Sequence, residues 1–82
     1  MTMPIKLLLL GTAGCHLCEE AEAIIDTLPL DNISVELIDI AEAQHWQARY
    51  AIRIPVLYHP ETISELCWPF GPDDIYKFIE AL

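Results

Sequence analysis

Cys15 and Cys18 are the residues of this 82-residue chain best placed to do chemistry together. Two thiols three positions apart come within bonding reach when the chain between them enters a helix. They can then join and part as a disulfide. The pair lies in Gly11-Thr12-Ala13-Gly14-Cys15-His16-Leu17-Cys18. In a cytosolic protein with a βαβ pattern, this spacing reads as a thiol–disulfide redox site. The first cysteine would sit beside helix N–H groups that have no partner, and these favour thiolate over thiol. Only the thiolate attacks a disulfide. Cys15 is therefore read as the nucleophile, and Cys18, one turn further in and less exposed, as the resolver. His16 as a cation would add to the stabilisation of the Cys15 thiolate, while Glu19 and Glu20 oppose it.

Two other readings of the pair stand beside this one. The cysteines could be buried bystanders. They could also be half of a zinc site, which usually takes four protein ligands, with Cys67 and His16, His45 or His59 brought in by the fold. The position between a strand and a helix favours redox chemistry, and no metal is assigned.

The elements that must hold the pair can be read around it. Ile5 to Leu10 is a near-continuous apolar run, as a central strand covered on both faces requires. Gly11 to Gly14 is the turn. A helix follows from Cys15 or His16 to about Leu28, with Leu17, Ala21, Ile24, Ile25 and Leu28 on its apolar face. Pro29 ends it. Ile33 to Ile40 alternates and reads as a more exposed edge strand. A second helix is expected over Ala41–Tyr50, with Ala43, Trp46 and Tyr50 inward. Ile54 to Tyr58 and Ile63 to Trp68 read as a hairpin around the turn signal His59-Pro60-Glu61-Thr62. A last helix covers about Pro72 to Ala81, with proline in its first turn and Asp73 and Asp74 near its positive end. The order β-α-β-α-β-β-α allows one sheet with helices on both faces.

Size and charge narrow the partners. The length suits one domain, residues 1–82. Thirteen acidic residues against four Lys and Arg give a net charge of −9. Nucleic acid and anionic membrane are poor partners for such a surface. The longest apolar run is too short to span a bilayer, and no signal peptide is read at the start, so a cytoplasmic location is expected. Three cysteines, an odd number with one close pair, do not form a secreted disulfide scaffold. Cys67 is read as a small core hydrophobe, Trp68 as a core or rim aromatic, and Asp39 as a strand-end surface residue. His45 and His59 are read as solvated.

Gly14-Cys15-His16-Leu17-Cys18 and Tyr50-Ala51-Ile52-Arg53-Ile54-Pro55-Val56, in this order of elements, resemble the small glutaredoxin-like branch of the thioredoxin-fold superfamily. The likeness covers nearly the whole chain. It implies an α/β, thioredoxin-like domain, a four-stranded mixed sheet flanked by three helices. It implies a cis Pro55 facing the cysteines, and an Ile54 that offers backbone groups to a bound thiol peptide pairing as a short extra strand. On the same ground His16, Leu17, Ile54, Pro55 and Gly71 are expected to contact substrate. The family's relatives enclose Pro-Tyr or Gly-Pro between the cysteines, whereas this chain encloses His-Leu. Glutaredoxins place a glycine pair before the last helix to receive the carboxylates of glutathione. Here Phe70-Gly71-Pro72-Asp73-Asp74 keeps one glycine, and Pro72 removes a donor.

The expected activity is thiol–disulfide exchange on protein or low-molecular-weight disulfides, in the service of redox homeostasis and electron transport. The protein is expected to be a monomer with no bound cofactor. The electron donor, glutathione or a reductase, is left open, and the departures around Gly71 count against a glutathione site. The alternative is a non-catalytic module on the same fold, protein-binding or with the cysteines as a redox-sensing latch.

Overall fold

The computed structural model describes residues 4–82. The first strand, β1 (Ile5–Gly11), lies inside the sheet, and Leu7 to Leu10 are all buried. Side chains alternate across a strand, and both faces are used here. Leu7 and Leu9 join Ala21, Ile25, Leu57, Phe70 and Ile75, while Leu8 and Leu10 join Ile40, Tyr50 and Val56. Two cores, one on each face, explain why the sequence shows a continuous apolar run. Each buried leucine contributes roughly 1.5–3 kcal/mol.

Helix α1 (His16–Asp26) crosses from β1 to β2 (Ile33–Asp39), which pairs parallel with β1. A 3-10 turn (Ile40–Glu42) and α2 (Gln44–Tyr50) lead to β3 (Val56–His59), β4 (Ser64–Cys67) and α3 (Pro72–Glu80). The sheet order is β2-β1-β3-β4, with β3 antiparallel to both neighbours. Residues of α1 and α3 fill the Leu7/Leu9 core, and Tyr50 of α2 fills the other. The result is a four-stranded mixed sheet with three helices over its two faces, β2 lying at an edge as its alternation anticipates.

Several local expectations change. The helix expected over Ala41–Tyr50 is two pieces. Asp39 Oδ1 accepts the Ala41 N–H at 2.9 Å and starts the 3-10 turn, and Ala43 is extended before α2 begins. Both Ile40 and Tyr50 are buried in the same core across this break. Helix α1 stops at Asp26. Thr27 donates its hydroxyl to the Ile24 carbonyl at 2.7 Å, and the Leu28 N–H reaches Ile25 O, so one tighter turn closes the end. Pro55 has no N–H for a ladder, and β3 starts at Val56. Ile63 falls in the turn with φ 56°, and β4 starts at Ser64.

His59 is buried rather than solvated: its Nδ1 lies 2.7 Å from Thr62 Oγ1, which lies 2.8 Å from Ser64 Oγ. This side-chain chain closes the β3–β4 turn.

Candidate active site

β1 ends at Gly11, and the chain turns through Thr12, Ala13 and Gly14 into α1. Gly14 has φ 77°, the left-handed conformation that a glycine adopts without strain. The Cys15 N–H donates to Thr12 O at 3.3 Å and closes the turn. Cys15 is thus the N-cap of α1, and its Sγ accepts the N–H of Cys18 at 3.2 Å. A cap normally uses a side-chain oxygen for that donor. Here a sulfur takes the position, where unpaired N–H groups and the helix dipole favour negative charge.

Cys15 and Cys18 form a disulfide, with Cα atoms 5.2 Å apart. Cys15 is half-buried and Cys18 is buried, so Cys18 is the less exposed of the two. The seat for Cys18 is made by Gly11. A Cβ on Gly11 would lie 3.0 Å from Cys18 Sγ and 3.2 Å from its Cβ. Cys18 also borders a cleft of about 150 Å³, together with Thr12, Glu22, Leu37 and Asp39.

The Ile54–Pro55 peptide is cis, and Pro55 is fully buried. Antiparallel pairing of Leu10 with Val56 brings Pro55 beside Gly11, hence to the end of β1 that carries the cysteines. Ile54 differs from expectation. Its N–H donates to Tyr50 O at 3.2 Å, so that backbone donor is engaged within the chain. A second cis bond, Trp68–Pro69, follows β4, and the Trp68 N–H donates to Pro55 O at 3.2 Å.

The segment before Pro55 is held from β4. The Glu65 carboxylate accepts from the Tyr50 hydroxyl at 2.7 Å and from Arg53 Nη2, and Arg53 Nη2 also donates to Cys67 Sγ at 3.0 Å. These bonds, the Tyr50 one first, hold the Glu65 carboxyl below the usual carboxylate range. Burial, aided by Glu65, pushes the Tyr50 phenol up to about 12. Cys67 is thus a half-buried acceptor for an arginine, rather than a simple core hydrophobe.

The other expected site residues divide. Leu17 is 42% exposed and does not join the α1 core face, which leaves it at the surface between the two cysteines. His16 is exposed, and its Nδ1 lies 4.0 Å from Glu19 Oε2, a contact that becomes an ion pair only when the ring is protonated. Gly71 is the N-cap of α3, and its N–H donates to Asp74 Oδ2 at 2.8 Å. That donor is spent, and Pro72 has none. Cys67 and His59, named above as zinc recruits, are not brought to the pair: Cys67 packs on the α2 side and His59 ends β3, away from its Pro55 end.

The sequence reading did not assign Gly11 or Glu65 to the site. For Gly11 the signal was its place at the end of the central strand. Glu65 had none, because its partners are 15 and 12 residues away.

The fold has known counterparts. The protein Ne2328 from Nitrosomonas europaea, solved by solution NMR, is 34% identical with a TM-score of 0.77, covering 95% of this chain and 94% of that one. The X-ray structure of target protein XcR50 from X. campestris is 26% identical with a TM-score of 0.80, covering 93% and 97%. Thioredoxin 1 from Thermosipho africanus shares the fold at 20% identity, with a TM-score of 0.68 and coverage of 94% and 92%. No curated protein matches this chain. The model of the Glutaredoxin-like domain (DUF836) matches residues 6–80. With that match, a thioredoxin fold and a Cys15–Cys18 pair at the start of α1, the chain belongs to the glutaredoxin-like domain family.

Proposed function

We propose that the protein is a dithiol oxidoreductase that reduces disulfides by exchange through Cys15 and Cys18. The observation that carries this reading is the N-cap position of Cys15, where its sulfur accepts the Cys18 N–H. In the reduced form, the Cys15 thiolate attacks one sulfur of the substrate disulfide. That S–S bond breaks, and one thiolate leaves and takes a proton from solvent. The substrate's other sulfur is now joined to Cys15. Cys18, deprotonated, attacks Cys15 Sγ, the mixed disulfide breaks, and the second thiol leaves. Two electrons have passed to the substrate, and Cys15–Cys18 is the oxidised product. A thiol or a reductase from outside the chain must restore the dithiol. The free, half-buried thiol of Cys67 suits a reducing, cytoplasmic setting.

Trapping tests the reading. In a Cys18→Ser variant the exchange stops at the mixed disulfide, so Cys15 should retain partner thiols that dithiothreitol releases. A Cys15→Ser variant should retain none. If the Cys18→Ser variant captures nothing from any disulfide offered, the assignment is wrong.

A further inference from the structure

The register fixes what surrounds the cysteines. β1 and β2 arrive at the active end by their C-termini, β3 departs from it, and β4 arrives by its C-terminus. The cysteine turn, Asp39, the Arg53–Pro55 segment and the start of α3 therefore share one end of the sheet. Carboxylates collect there: Glu19 and Glu20 beside the pair, Asp39 at the end of β2, and Asp73 and Asp74 in the first turn of α3. Glu19, Glu20, Asp73 and Asp74 are exposed.

The four basic side chains do not balance them. Arg49 and Arg53 lie over the Tyr50 ring at 5.6 and 5.2 Å, on the α2 side, and Arg53 is bonded to Glu65 and Cys67. Lys6, near the start of β1, is at the opposite end, 3.9 Å from Glu36. Lys77 is in the last turn of α3. Two backbone donors near this end are engaged within the chain: the Gly71 N–H on Asp74 and the Ile54 N–H on Tyr50. What this end offers besides charge is apolar. Leu17 is 42% exposed, and Ile52, three residues before Pro55, is 98% exposed.

We propose that the Cys15–Cys18 site selects disulfides that carry positive charge beside their sulfurs, a cationic polypeptide disulfide above all, and discriminates against anionic disulfides of the glutathione kind. This rests on the exchange reading above and names its substrate class. An anionic rim raises the local concentration of a cationic substrate and repels an anionic one, and salt screens both effects.

Three small disulfides test it: cystamine (cationic), hydroxyethyl disulfide (neutral) and oxidised glutathione (anionic). The reduced protein is mixed with each under single-turnover conditions, and each rate is divided by that of a small neutral thiol with the same disulfide. The expected order is cystamine, then hydroxyethyl disulfide, then oxidised glutathione. The normalised spread from first to last should be at least about tenfold at low salt and collapse toward unity in roughly 1 M salt. A Glu20→Gln, Asp73→Asn double variant should narrow the low-salt spread, and this ratio is insensitive to any change in the reactivity of Cys15 itself. Equal normalised rates, a preference for oxidised glutathione, or an unchanged spread in the double variant would overturn the proposal and leave the exchange reading standing. Failure of all three disulfides to react faster than with the free thiol would overturn the exchange reading, and the proposal with it.

Discussion

Cys18 lies against the bare backbone of Gly11: a single added carbon there would meet the cysteine's Sγ at 3.0 Å. Cys18 is thus seated by the absence of a side chain on the central strand. Neither atom can retreat easily, since Cys18 is buried and Leu10, next to Gly11, is fully buried.

Gly11→Ala should therefore destabilise the protein by about 1–3 kcal/mol, the usual range for overpacking. It should also slow closure of the Cys15–Cys18 disulfide more than it slows alkylation of Cys15, because the displaced residue is Cys18. Chemical denaturation and rapid-quench mass spectrometry measure the two effects. A variant as stable as the parent, with unchanged closure, would remove Gly11 from the site.

The Tyr50–Glu65–Arg53 cluster should leave a signature at both ends of the pH scale. The Glu65 carboxyl is held low when folded, so its contribution is present at neutral pH and is lost as pH falls through the carboxylate range toward that lowered value. The Tyr50 phenol is held high, at about 12. Its contribution is whole below the free phenol's value, about 10, and is lost as pH rises from there through about 12. Denaturant unfolding across pH should show both limbs. Tyr50→Phe should flatten the alkaline limb and cost about 1–3 kcal/mol at neutral pH, as for a bond to a charged acceptor. Glu65→Gln should flatten the acid limb. Parallel profiles for parent and variants would contradict the linkage.

Ile63 holds a left-handed φ of 56° with its side chain 66% exposed. A β-branched residue is strained there by roughly 1–2 kcal/mol, and no buried contact is lost with it. Ile63→Gly should stabilise the protein by about 0.5–1 kcal/mol after the added freedom of the unfolded chain is counted. A fall in stability would place Ile63 in a role that the β3–β4 turn does not reveal.

What the sequence reveals and what it hides follow from the range of each interaction. The Leu7–Leu10 run announces a strand covered on both faces, and Ser34 and Glu36 announce an edge, because these signals lie within one element. The cysteine turn is equally local. The break before α2 is less visible: Ala43 is a good helix former, and only the Asp39 cap and the shared burial of Ile40 and Tyr50 require it to be extended. His59 looks solvated until Thr62 folds back on it. Leu17 fits the helical apolar period, yet it is exposed while Cys18 and Ala21 of the same helix are buried. The Glu65 clamp joins α2 and the segment before Pro55 to β4, and no spacing rule within an element would suggest it.

The central claim is that Cys15 is held as an anion by the N-terminus of α1. The most direct measurement is the pH dependence of Cys15 alkylation by iodoacetamide in the fully reduced protein, read site by site by mass spectrometry. The expected midpoint lies clearly below the free-thiol value of about 8.5, with Cys18 reacting more slowly throughout. A Cys15 midpoint at or above that value, or a Cys18 that reacts first, would contradict the claim.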